Sequence, residues 1–163
     1  MTIYDSRFTV FSPMRLAEES RVRLEQFFRS YERDETLRLP PVQVHAGVFA
    51  RSLTGALRVA ALTLGRHVFV ARGVVWRDGR GRQTMKGWLL AHEAAHVRQF
   101  QRVGCMPFLL AYAREYLSLL VRGGRFDARA RMEAYEQLSW EREARAAEVA
   151  YLAWRGRVPL SLV

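Results

Sequence analysis

One cysteine, Cys105, stands in a chain of 163 residues. A single thiol excludes an intramolecular disulfide framework and a cysteine-built zinc knuckle, and its expected place is a buried position in a reducing compartment. Lysine is almost as scarce: Lys86 is the only one, so arginine carries nearly all of the positive charge behind the formal net charge of +10. The arginines are scattered, several with a glutamate one helical turn away. No arginine cluster interleaved with aromatics stands out, so no specific nucleic-acid partner is expected. The longest apolar run, Met106 to Ala113, is far below the ~20 residues of a membrane span. Residues 1–8 lack the basic segment and apolar core of a secretory signal. Synthesis in the cytoplasm is expected, with any export left to a dedicated secretion machine. There is no internal repeat and no low-complexity tract.

What is present suffices for one sizeable core: half of the residues are hydrophobic, and the expected organisation is a single domain over 1–163. Ser12 before Pro13 reads as the N-cap of a helix from Met14 to Tyr31. Val42 to Val44 alternates as a short strand, and Gly47 to Leu53 reads as a brief helix broken before Gly55. Leu57 to Thr63 and His67 to Val70 then read as strands joined at Gly65. Arg77 to Arg82 is a loop by composition. Helices are expected over Met85 to Val103, Pro107 to Val121 and Ala128 to Trp154, closed by Gly104, Gly123-Gly124 and Gly156. A small twisted sheet packed on a helix, then a helical C-terminal half, is α+β.

Chemistry concentrates in Ala91-His92-Glu93-Ala94-Ala95-His96-Val97-Arg98-Gln99, the pattern H-E-x-x-H on a helix-forming segment. Residues four apart stand one helical turn above each other, so His92 and His96 can converge on one Zn²⁺ while Glu93 flanks the same site as general base. A catalytic zinc keeps three protein ligands and one open position. No histidine follows His96, and Phe100-Gln101-Arg102 occupies the place of the extended metzincin motif. The third ligand is therefore expected to be a carboxylate on a later helix, from among Glu115, Glu133, Glu136, Glu141, Glu143 and Glu148.

The run Trp140-Glu141-Arg142-Glu143-Ala144-Arg145 resembles the Glu-x-x-Ala-Asp element of glutamate zincins, and aligning Ala144 with that alanine implies Glu141 as the metal ligand. Arg145 departs from the pattern, which has there an acid that orients a histidine. More widely, the chain resembles a small zincin-like domain family associated with extracellular contractile injection systems and bacterial effectors. The resemblance is carried by Val42 to Gly47, Ala60 to Val68, His92 to Gln99, and Tyr135 with Trp140 to Ala144. It implies a glutamate-zincin fold, a peptide or protein substrate, and a secretion-system or effector partner. Gln99 matches the family pattern H-E-x-x-H-x-x-Q and is expected to hydrogen-bond behind the ligands.

On a single C-terminal helix, Glu136 and Glu141 would be turned apart by about 140°, making them alternatives. Glu143 would face solvent or an arginine, and Glu148 would come no nearer than the residues behind the ligands. The expected reaction is amide hydrolysis, with Glu93 moving a proton from water to the leaving amine. An edge strand within Thr63 to Val70 would align the peptide. Tyr135 is the favoured donor to the oxyanion, with Tyr112, Tyr116 and His67 as the other candidates. The competing reading is a zincin-shaped docking module without turnover.

Overall fold

The computed structural model describes residues 13–155 and 160–162, without the side chains of residues 155 and 160–162. The expected caps at Ser12 and Gly156 and the reading of residues 1–8 lie outside these residues. Those described form a mixed α+β structure of six helices and two small sheets.

The first sheet contains β1 (Met14–Arg15), β2 (Gln43–His45), β3 (Ala61–Leu64) and β4 (His67–Val70), in the order β1-β2-β4-β3. β2 and β4 run parallel, and the other pairs are antiparallel. β1 corrects the expected helix start. Met14 and Arg15 pair with Val44 and Gln43, and α1 (Glu18–Glu32) begins only after Ala17, whose carbonyl accepts from the Ser20 and Arg21 amides. α2 (Val48–Leu57) runs through Gly55, where a break was expected. One helical glycine costs about 1 kcal/mol, which the rest of the helix absorbs. The strand expected from Leu57 therefore starts at Ala61, after a left-handed Arg58 ends the helix. Gly65, with φ 59°, turns β3 into β4.

The loop expected at Arg77 to Arg82 is the tip of a hairpin absent from the sequence reading: β5 (Val75–Arg77) pairs with β6 (Gln83–Met85), and β7 (Leu160–Leu162) adds the third strand. Asp78 closes the tip by accepting from the Arg80 and Arg82 amides, both at 2.9 Å. Met85 belongs to β6, so α3 spans Gly87–Val103.

α3 lies in the middle of the molecule. Leu90, Ala91 and Ala94 are fully buried, with β3 on one side of the helix and α6 (Ser139–Arg155) on another. Between them in sequence are α4 (Cys105–Gly123) and α5 (Ala128–Gln137). The single helix expected over Ala128 to Trp154 is thus two, divided at the buried, non-helical Leu138. Glu115 of α4 fixes the new start by accepting from the Ser139 amide at 2.9 Å and its hydroxyl at 2.7 Å. Cys105, expected to be buried, is exposed at the start of α4. None of the described helices is long and apolar enough to cross a membrane.

Candidate metal centre

Four-residue spacing on α3 places the rings of His92 and His96 one above the other, centroids 5.0 Å apart. The first turn of α6 brings Glu141 against both. His92 Nε2 lies 3.5 Å from Glu141 Oε2, and His96 Nε2 lies 3.4 Å from Oε1. One ligand atom from each of the three residues falls within 4.8 Å of the others. The divided C-terminal helix does not disturb this meeting, because Glu141 sits beyond the break. Glu136 is exposed on α5, and Glu133 pairs there with Arg129. Glu115 caps α6, and Glu143 meets Arg102 through two contacts of 2.9 Å. Glu148 reaches His92 Nδ1 at 3.3 Å.

The hydrogen-bond partners fix how the imidazoles face the site. Gln99 Nε2 donates to the Trp140 carbonyl at 2.9 Å, and that carbonyl can only accept. The amide oxygen of Gln99 therefore faces His96 Nδ1, at 2.8 Å, and Nδ1 carries the hydrogen. The Glu148 carboxylate likewise lies against His92 Nδ1, at 3.3 Å. Both Nε2 atoms face Glu141, donating to its carboxylate while they carry hydrogen and offering lone pairs to a metal once that hydrogen is lost. Arg145, at the position where an acid was expected, donates to the Glu136 carbonyl instead, and Glu148 does the orienting three residues later.

The arrangement favours positive charge at its centre. Burial alone would lower the pKa of His96, but Glu141, Glu93 and Gln99 outweigh it and raise it above the ordinary imidazole value. Burial likewise opposes ionisation of Glu141. Hydrogen bonds from His92 and His96, the His96 charge and a bond from Tyr135 nevertheless hold the carboxyl well below its usual range. Two imidazoles and one buried carboxylate fit the donor set of a catalytic zinc.

Two tyrosines complete the surroundings of Glu141. Tyr135 donates to Oε2 at 2.8 Å and Tyr112 to Oε1 at 3.1 Å, so each oxygen meets one tyrosine and one histidine. Burial first, then the Glu141 charge, pushes both phenols above their ordinary range, and both remain protonated donors. Of the other donor candidates, Tyr116 is not among the hydrogen-bond partners of Glu141, and His67 pairs with His45 across β2 and β4, Nδ1 to Nε2, at 3.0 Å.

Glu93 is buried beside the pair, where its charge acts on His96 and Tyr135. Its Oε2 accepts from the Thr63 hydroxyl at 2.7 Å. Sequence reading missed that contact, because alternation along Ala61 to Leu64 would turn the leucines inward, whereas pairing with the buried Val68 places Thr63 on the core side and leaves Leu64 exposed. β3 is also an edge strand of its sheet among the described residues.

Residues 17–104 match the family model of the eCIS core domain, more than half of the chain. The chain belongs to the eCIS core domain family. Membership associates this eCIS core domain protein with extracellular contractile injection systems. The matched span includes β2 to α3 with His92, Glu93 and His96, and it ends before Glu141. No curated protein and no solved structure matches the chain.

Proposed function

We propose that this eCIS core domain protein is a zincin-like metallopeptidase that hydrolyses peptide bonds, acting as an effector or component of a contractile injection system. The observation carrying this reading is the convergence of His92, His96 and Glu141, within 4.8 Å, beside a buried Glu93. His92, His96 and Glu141 would hold zinc, which when bound supplies a Lewis acid for the substrate carbonyl and lowers the pKa of water toward ~7.

The chain's own residues account for the remaining work. Glu93 keeps one carboxylate oxygen on Thr63 and uses the other to take a proton from water and return it to the leaving amine. Thr63 ties this base to the edge strand β3, and backbone pairing along Ala61–Leu64 aligns an extended peptide beside it. Tyr135, kept protonated, would turn its hydroxyl from Glu141 Oε2 to the oxygen on which charge develops. Gln99 and Glu148 hold the two imidazoles in the orientation that presents Nε2.

The test pairs metal analysis with cleavage of an unfolded protein by the intact chain. One zinc per chain is expected, lost in His92→Ala and His96→Ala. Glu93→Gln should keep zinc and fold while turnover falls by about 10² to 10⁴. A full equivalent of zinc in both histidine variants would defeat the site. Zinc binding with no cleavage, and no response to Glu93→Gln, would favour the docking module instead.

A further inference from the structure

α4 has two faces with different surroundings. Phe108 and Leu120 are buried, and Tyr112 reaches Glu141. On the side away from Phe108 and Tyr112, Met106, Leu110, Leu117 and Val121 are 63%, 65%, 57% and 68% exposed, and the buried Leu120 lies within the same arc near its C-terminal end. Ala113 is exposed between them, and Leu109 lies at one border. At about 100° per residue these side chains occupy an arc of roughly 120°, and from Met106 to Val121 the stripe runs about 22 Å. A continuous apolar stripe of that length marks an interaction site. It also lies beyond residue 104, where the match to the family ends.

We propose that this face of α4 is the docking site for an amphipathic α-helix of a partner protein, with carboxylates bordering the partner's apolar seam. The occupant follows from three features. The positions 106, 110, 113, 117 and 121 advance by four, three, four and four, the rhythm of a helix–helix seam. Ala113 makes a notch at the middle of the stripe, between Leu110 and Leu117, and such a notch admits a ridge of a second helix. The charges select the partner's sign. Arg114, about 20° beyond Val121 around the helix, borders the stripe and has no ion-pair partner among the described residues. The one acid of α4, Glu115, is engaged with Ser139. A second copy would bring arginine toward arginine with no acid between them. A lipid surface would leave the notch unfilled, and the arc lacks the tryptophan or phenylalanine usual on an interfacial helix.

The probe is a synthetic three-heptad peptide with leucines at the seam and glutamates beside them, compared with the same peptide carrying lysines. Binding to the full chain is read by fluorescence anisotropy. The glutamate peptide should bind and the lysine peptide should not. Leu110→Glu and Leu117→Glu, each checked for folding by circular dichroism, should weaken binding at least tenfold. Arg114→Glu should shift preference toward the lysine peptide. Equal binding of both peptides, or binding of neither, would overturn the proposal. So would pelleting with phosphatidylserine-containing vesicles, or a sedimenting dimer, that Leu117→Glu abolishes.

Discussion

Glu141 holds its place through four polar neighbours, and changing any of them tests a different part of the site. Glu141→Gln removes the anion that two imidazoles and two phenols surround. Zinc affinity should then fall by orders of magnitude, whereas Glu136→Gln and Glu143→Gln should change it little, as competition with a chromogenic chelator would read. The residues behind the histidines act more gently. Gln99→Leu and Glu148→Gln should each lower zinc affinity by about 10- to 100-fold, the usual cost of removing the group that orients a ligand. Unchanged affinity in Glu148→Gln would mean that the 3.3 Å contact with His92 Nδ1 does not orient that ring.

Among the elements, the break between α5 and α6 decides where Glu141 stands, and a polar contact from α4 holds it. Glu115→Ala leaves the Ser139 amide without its carboxylate. Loss of such a cap should cost about 0.5 to 2 kcal/mol, measured as a lower urea midpoint. The strands make a separate prediction about acid. Burial first, then His67, lowers the pKa of His45. The unfolded chain therefore binds the proton more readily, and stability contributed by neutral His45 is lost as pH falls through the unfolded value of about 6.5. Between about pH 7 and pH 5.5 the chain, kept free of metal, should lose more stability than His45→Gln does under the same conditions. Equal losses would show that the His45–His67 pair does not report on folding.

Over the whole molecule, the proposed zinc and the net charge would set the behaviour. If zinc binds only the folded chain, a free concentration ~1,000 times its Kd adds about 4 kcal/mol of stability. Chelation should lower the unfolding temperature, and added zinc should restore it; a midpoint that chelation leaves unmoved would mean the fold holds no metal. The net charge of +10 is dispersed and partly paired, as in Arg29–Glu25, Arg98–Glu32 and Arg102–Glu143. Binding to duplex DNA at physiological salt should therefore be no tighter than the ~10⁻⁴ to 10⁻⁶ M of nonspecific electrostatics. Nanomolar, sequence-selective binding would contradict that reading.

The sequence by itself determined whatever depends on local periodicity and residue chemistry: the helix carrying His92 and His96, the β3–β4 turn at Gly65, and the α+β class. A helix repeats every 3.6 residues whatever surrounds it, so the stacking of His92 and His96 was legible in the spacing of two letters. Glu141 was legible only through resemblance, because spacing alone left six carboxylates open. Tertiary structure decided the rest. Met14–Arg15 became a strand because β2 offers an edge, and β6 took Met85 from the helix because β5 and β7 pair with it. Leu138 interrupts a stretch with good helix propensity because burial of its side chain and the Glu115 contact at Ser139 outweigh continued helix. The meeting of Glu93 with Thr63, 30 residues apart, likewise depends on contacts distant along the chain, which no local pattern encodes.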